Sequence, residues 1–410
     1  MSAAFSIALS ALSADTTAID VVGNNLANLN TTGYKTTDVN FQDLMSQSLG
    51  EGTNAAQVGM GVGPLGTVTN FTQGTLTTTN GPTDAAIQGN GFFVVQNATN
   101  QTLYTRDGSF QVNSAGNIVT ATGENVQGWS AANGAVNPNG PVGNLTVPLG
   151  TVVPAVATST MGLTVNLNST TAANGTFSAP IQVFDSQGAS HTLTVNFTET
   201  ASNTWGYSVA IPAADLAKGG KPTIASGTMS FDSSGNLTSP TGPVALTIAG
   251  LADGAADMNI GWNLDSSSTS TITQYAEASS EGTTTQDGAA AGQIVNVSLQ
   301  NGGLLVANYS NGQQTTVGQV ALASIPNPES LTSVGNNELQ ASTTTGSIAV
   351  GAASTGGRGQ IVAGALESST VDMAIEFTNL LTYERSYQAA SRVITTSDQM
   401  TQDTENLIHP

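Results

Sequence analysis

Residues 9–35 read LSALSADTTAIDVVGNNLANLNTTGYK, and their periodicity decides the fold reading. Counted from the start of the chain, Phe5, Leu9, Leu12, Thr16, Ile19, Gly23 and Leu26 step by 4, 3, 4, 3, 4 and 3 residues. That spacing keeps one face of an α-helix, with alanine filling much of the remainder. Asn24, Asn25, Asn28 and Asn30 then weaken helix propensity, and Thr32-Gly33-Tyr34 is expected to end or bend the helix. At the other end, Leu366, Met373, Leu380, Tyr387, Ile394 and Ile408 fall on one seven-residue register, with Thr401 as its polar exception. Ala374, Phe377 and Leu381 widen this second stripe. A seven-residue repeat suits two or more supercoiled helices, and it also suits an amphipathic helix packed on a globular core.

Between these ends the chain reads as β. Gly91-Phe92-Phe93-Val94-Val95, Leu163-Thr164-Val165-Asn166-Leu167 and Leu193-Thr194-Val195-Asn196-Phe197 are strand-like runs. Asn113-Ser114-Ala115-Gly116-Asn117, Asp185-Ser186-Gln187-Gly188 and Asp232-Ser233-Ser234-Gly235-Asn236 read as hairpin loops. No acidic ladder follows these aspartates, so turns are expected there and not calcium loops. Residues 130–160 are rich in Gly, Pro, Asn and Ala, and a second soft stretch surrounds Ser266-Ser267-Ser268. An insertion is expected between them, interrupting one β-domain whose halves lie on either side. The expected fold class is mainly β with terminal α-helices: nested β-domains, and N- and C-terminal helices pairing as a coiled-coil-like inner domain. The expected division is 1–30 with 364–410 (terminal helices), 31–75 (connector), 76–145 with 272–363 (middle β-domain) and 146–271 (outer β-domain).

Composition excludes whole classes of function. The 410 residues carry 27 acidic and 7 basic side chains, a net charge of −20. Lys35, Arg106, Lys218, Lys221, Arg358, Arg385 and Arg392 are scattered, so no basic stripe exists for phosphates and nucleic-acid binding is not expected. The absence of cysteine removes disulfides, thiol catalysis and thiolate metal sites. His191 and His409 are the only imidazoles, which equips metal or triad chemistry poorly. No unbroken run of 18 apolar residues occurs, so membrane insertion is not expected. The first basic residue, Lys35, comes too late for the basic region of a signal peptide, so export without a cleaved signal is the expectation.

Catalytic patterns are also lacking, and no cofactor is expected. Gly61-Val62-Gly63-Pro64-Leu65-Gly66 matches the dinucleotide fingerprint only formally, because β-like Thr67-Val68-Thr69 follows where a helix is required. A flexible glycine-rich connector is expected there. Ser190 and His191 are neighbours, but a strand would point them to opposite faces. Two unrelated classes remain open on composition, a secreted β-rich adhesin, which gives no reason for apolar helices at both extremes, and a secreted polysaccharide-active enzyme, for which no catalytic constellation stands out.

Three segments together resemble the flagellar rod–hook family of bacterial axial proteins. They are residues 9–35, centred on Asn24-Asn25-Leu26-Ala27-Asn28; residues 89–128, through Gly89-Asn90-Gly91-Phe92-Phe93-Val94-Val95 and Tyr104-Thr105-Arg106-Asp107-Gly108-Ser109-Phe110; and residues 364–396. Gly318-Gln319-Val320-Ala321-Leu322 and Gly335-Asn336-Asn337 fit the second half of the interrupted domain. The length and the large central insertion point to the hook branch, with the distal rod branch as alternative. The resemblance implies a structural subunit, not an enzyme, that polymerises with many copies of itself into a curved tube. It further implies contacts with distal rod, hook cap and hook–filament junction proteins, passage through the flagellar type III export apparatus, and an extracellular location. Assembly is then expected to run through Phe5, Leu9, Leu12, Ile19, Asn24, Asn25, Leu26 and Asn28 at one end. At the other it involves Leu366, Met373, Phe377, Leu380, Leu381, Tyr387, Ile394 and Ile408. Isolated helices with such modest stripes are marginal in water, so the termini are expected to order on assembly.

Overall fold

The computed structural model describes residues 3–44, 47–49, 56–266 and 269–408. It is mainly β, and among the described residues the α-helices are two: α1, Ala3–Ala27, and α2, Met373–Ile408. The chain divides into two compact units. The first comprises 1–149, 297–307 and 315–410, the second 150–296 and 308–314.

In the first unit, sequence-distant strands close one β-layer. Asn125–Ala132 pairs antiparallel with the strand containing Gly318 and Val320, and Phe92–Gln96 pairs with Leu322–Ser324. Thr102–Thr105 pairs with Glu338–Gln340 in the same sheet, and Ala85–Gln88 with Gln360–Ala363 in a separate two-stranded one. The two flanking β-regions therefore belong to one interrupted domain. Its interior holds Phe93 against Phe110, edge to face at 5.0 Å between centroids, with Ile87, Val95 and Ile118 fully buried. Gly108 sits where a Cβ would lie 1.6 Å from the carbonyl oxygen of Ala85. Gly108→Ala must push two backbones apart and is expected to cost about 2–3 kcal/mol. Thermal unfolding of the variant checks this; an unchanged midpoint would contradict it.

The described residues of the expected connector include a strand pair. Thr37–Asp43 pairs antiparallel with Val62–Thr69, so the glycine-rich run from Val62 to Gly66 lies in a strand. Asn40 faces Gly66 and Phe41 faces Pro64, which leaves Leu65 as the extra residue of a bulge and accommodates the proline there.

The second unit is a two-sheet β-structure with one core. One sheet runs in chain order through Thr176–Phe184, Ser190–Ala201, Thr204–Ala210, Thr223–Phe231 and Leu237–Ser239. The other has the order Val244–Ile248, Met258–Asn263, Thr160–Asn168, Ile272–Tyr275, with Ser280–Gln286 also on Thr160–Asn168. Strict alternation buries Leu193, Val195 and Phe197 from the first sheet against Trp262, Ile260 and Leu163 from the second. The expected boundary at 271 moves to 296, because strands 272–275 and 280–286 complete the second sheet. The three hairpin loops form as expected: the side-chain oxygens of Asn113, Asp185 and Asp232 each accept backbone N–H bonds from two and four residues downstream. Ser190 is exposed and His191 buried, on opposite faces of their strand; Ser267 and Ser268 lie outside the described residues.

Candidate assembly surface

The terminal helices pair antiparallel. Asn25, near the end of α1, donates to Glu376 in the first turn of α2 at 2.9 Å. At the other end Ala4 shares an apolar groove of about 570 Å³ with Val393 and Met400. At 1.5 Å per residue the helices are about 37 and 54 Å long, so α2 has ample length to run beside all of α1.

Which face pairs is a surprise of register. The buried positions of α1 are Ala8, Ala14, Asp15, Ala18, Val22 and Asn25; apart from Ala14 they form a line displaced by one residue from the expected stripe. This helix packs against both α2 and the strand pair Thr37–Asp43 and Val62–Thr69. Leu9 is left 51% exposed, and Phe5, Leu12, Ile19 and Leu26 are half-buried. Alanine allows the closer approach of helix backbones, so packing selects the alanine line and leaves the bulkier line outside. On α2, Leu380 and Ile394 are half-buried and Tyr387 is 38% exposed, on the line that also carries Glu376, Tyr383 and Ala390. Met373, Ile375, Phe377, Leu381, Val393 and Met400 are exposed. One departure concerns Leu366, which lies in strand Ala365–Glu367, paired with Leu76–Thr78, and not on the helix. The helix starts later because Asp372 caps it, its Oδ1 accepting from Ala374 and Ile375 N–H at 2.8 and 3.2 Å. The side chain of Ile408 lies outside the described residues.

Although no unbroken apolar run occurs, Ala4–Ala27 is long and apolar enough, by length and composition, to cross a membrane. Alanine supplies much of that character, and Asp15 and Asp20 interrupt it. Only 28% of its most apolar window is buried within the chain.

Asn25 fixes the helix pair to the connector. Its Nδ2 donates to Glu376 Oε1 and to the Thr37 carbonyl, both at 2.9 Å; its Oδ1 accepts from Thr37 N–H and Tyr34 Oη, both at 3.1 Å. An amide is the side chain that offers two donors and two acceptor positions from one planar group. Asn24 donates to Tyr34 Oη at 3.2 Å, and Asn28 accepts from Thr31 while donating back to the Asn24 carbonyl. Burial raises the carboxyl pKa of Glu376, Asn25 opposes the shift, and the charge of Asp38 adds to it. The Asn-rich run thus ends α1 and folds the chain back.

A second anchor was not visible in sequence spacing. Glu367, fully buried, accepts from Lys35 Nζ at 2.5 Å, Gly74 N–H at 2.7 Å and Arg106 Nη1 at 3.2 Å. Lys35 also donates to the Thr72 carbonyl and Arg106 to the Gly89 carbonyl, while the guanidinium lies 5.2 Å from the centre of the Phe92 ring. Burial lowers the pKa of both cations, and Glu367 counteracts it. These basic residues, scattered along the chain, converge on one acid; only the residue type hinted at it, since a basic residue in so uncharged a chain needs a partner once buried.

Two further acids meet in this unit. Glu124 accepts from the hydroxyls of Thr120 and Thr122, and the Thr122 hydroxyl also reaches Glu338 at 3.4 Å. Burial works to raise the pKa of Glu124, but these hydroxyls and Glu338 bring it below the ordinary value. Burial and the Glu124 charge push Glu338 up to about 7. A raised folded pKa contributes stability fully present below the unfolded value and lost as pH rises through the folded one. Stability attributable to Glu338 therefore falls between about 4.5 and about 7. Glu338→Gln is expected to remove that component, so the difference between wild-type and variant denaturant midpoints should change with pH inside this window. A constant difference would refute it.

Family models match in the same order as the elements. A flagella basal body rod protein model covers 5–35, and a flagellar hook protein FlgE/F/G D1 domain model covers 86–170. A flagellar basal body protein FlaE D2 domain model covers 154–289, and a flagellar basal body rod FlgEFG C-terminal model covers 362–407. Flagellar hook protein FlgE of Treponema pallidum is 35% identical, covering 94% of this chain and 95% of that one. Its Salmonella typhimurium counterpart is 33% identical over 98% and 99%. The crystal structure of Helicobacter pylori FlgE2 covers 71% of this chain and 100% of its own, with a TM-score of 0.51 at 15% identity, a likeness of fold. With relatives of this identity matched over nearly their whole length, and the paired terminal helices enclosing an interrupted β-domain, the chain belongs to the flagellar hook protein family.

Proposed function

We propose that this chain is a structural subunit of the bacterial flagellar hook, assembling with copies of itself into a curved tube that passes motor torque from rod to filament. The observation that carries the reading is the exposed apolar surface of α1 and α2, which a lone chain leaves in water. In this reading the paired terminal helices form the inner wall of the tube. Neutral Thr and Asn surfaces suit repeated sliding, since fixed ion pairs would favour particular registers whereas polar contacts through water exchange readily. Distal rod, hook cap and junction proteins are the expected neighbours. Export through the type III apparatus leaves the start of the chain uncut, so mass spectrometry of secreted protein should find a terminus at Met1 or Ser2; one beginning near residue 20 would refute this route. The deciding experiment is electron microscopy of purified protein induced to polymerise. Curved tubes support the hook, straight tubes favour a rod, and absence of polymer under all conditions overturns both.

A further inference from the structure

The second unit carries a side-chain cluster that is no part of the terminal helices. His191 is buried and meets three carboxylates: Nδ1 lies 3.1 Å from Asp215 Oδ2, while Nε2 lies 3.1 Å from Asp185 Oδ2 and 3.7 Å from Asp253 Oδ2. One ligand atom each from Asp185, His191 and Asp253 falls within 4.8 Å of the others. Each side chain is already oriented. Asp185 turns Oδ1 to Gln187 and Ala189 N–H at 2.7 and 2.9 Å, and Asp253 turns Oδ1 to Ala255 N–H at 2.9 Å. In both cases Oδ2 is left facing the imidazole.

We propose that this cluster is a divalent transition-metal site of the zinc type, with His191 Nε2, Asp185 Oδ2 and Asp253 Oδ2 as ligands and Asp215 holding the imidazole from behind. Metal–ligand bonds of ~2.0–2.2 Å in a tetrahedron separate donor atoms by about 3.3–3.6 Å, a range bracketed by the separations of Nε2 from the two carboxylates. A carboxylate on the far nitrogen of a ligating histidine fixes its tautomer and its aim. The partly exposed Asp253 gives an ion a path in, and three protein ligands leave the fourth position of a tetrahedron open. One nitrogen and few oxygens select against Mg²⁺ and Ca²⁺, which take octahedral or larger oxygen shells.

The ligands also explain what the ion would do. Asp185 lies in the hairpin loop before strand Ser190–Ala201 of one sheet, and Asp253 in the loop joining Val244–Ile248 to Met258–Asn263 of the other. An ion shared by them is a clasp across one end of the two-sheet core. The hairpin aspartate that reads as a turn residue is one, through Oδ1; its second oxygen is the ligand.

The test uses the full chain after chelator treatment, titrated with ZnCl₂ by calorimetry and followed by thermal unfolding. One equivalent should bind and raise the transition of the second unit, whereas Mg²⁺ should not. Co²⁺ in place of Zn²⁺ should show the strong visible absorption of a tetrahedral site. Asp253→Asn keeps the bond to Ala255 and should unfold as wild type without metal, yet bind zinc at least ~10-fold more weakly. Asp215→Asn retains all three ligands and should lose about 10–100-fold through the misaimed imidazole. Wild-type protein that shows no stoichiometric binding, or Asp253→Asn that binds as wild type does, overturns the proposal.

Discussion

Glu367→Gln should lower the stability of the first unit by about 3–5 kcal/mol, the range for removing one partner of a buried ion pair. Glu367 is completely enclosed and is the carboxylate on which Lys35 and Arg106 both converge. Glutamine matches its volume but withdraws the charge, leaving two cations buried against an amide. One glutamine oxygen can still accept from Lys35 or Gly74, but its NH₂ then faces the Arg106 donor across the 3.2 Å that separates them now. The loss should therefore exceed that of an ordinary hydrogen bond, about 0.5–1.5 kcal/mol. Removing a cation as well, in Glu367→Gln with Lys35→Met, should recover part of it, because less uncompensated charge remains. Scanning calorimetry with the two units' transitions resolved checks both statements. A single-variant loss under about 1 kcal/mol, or a double variant worse than the sum of its parts, would refute the account. Glu367 ends the strand paired with Leu76–Thr78 and precedes α2 by only a few residues, so its loss should also loosen the point where α2 leaves the β-domain.

The sequence made the element types legible wherever a period was clear. Alternation in Leu193–Phe197 correctly marks a half-buried strand, because one face of a twisted sheet must meet the core. The helical stripe at Leu9, Leu12 and Ile19 likewise marks a helix. Which line of α1 is most buried in the separate chain was not legible, since hydrophobicity ranks leucine above alanine whereas close helix packing prefers the smaller side chain. The register through Met373, Leu380 and Tyr387 continues formally to Leu366, and only the capping geometry of Asp372 shows where the helix starts. Glycines in 61–66 suggested looseness, although the strand Thr37–Asp43 supplies a partner that local propensity cannot foresee. The Lys35–Glu367–Arg106 anchor was hidden for a simpler reason. Its members are separated by up to 332 residues, and no local pattern reports which charge will meet which.

The displaced helix face makes the second large effect specific. Phe377 and Leu381 are one helical turn apart, 49% and 54% exposed, and lie beside the α1-facing line of Glu376, Leu380 and Tyr383. Single substitutions Phe377→Asp or Leu381→Asp should change the unfolding of the separate chain by no more than about 0.5 kcal/mol, as surface changes usually do. In a polymer that covers this face the same carboxylate must be desolvated without a partner. A penalty of roughly 4 kcal/mol per subunit added is modest for such a burial. Since every 1.4 kcal/mol is tenfold in an equilibrium constant, the critical concentration for assembly should rise about 1000-fold, enough to abolish tubes at ordinary concentrations. Leu9→Asp on α1 tests the same idea from the other helix, whose leucine is 51% exposed. The control is Ala18→Asp, on the fully buried inner line: it should fail by unfolding the helix pair, not by sparing the separate chain and blocking the polymer. Pelleting assays and electron microscopy read the polymer, and circular dichroism reads the chain. Amide exchange adds the wild-type counterpart, in which protection across 3–27 and 373–408 should rise sharply once tubes form. Tubes from Phe377→Asp at the wild-type critical concentration would show that this face stays in water, and the assembly contacts would then have to be sought on the β-domains.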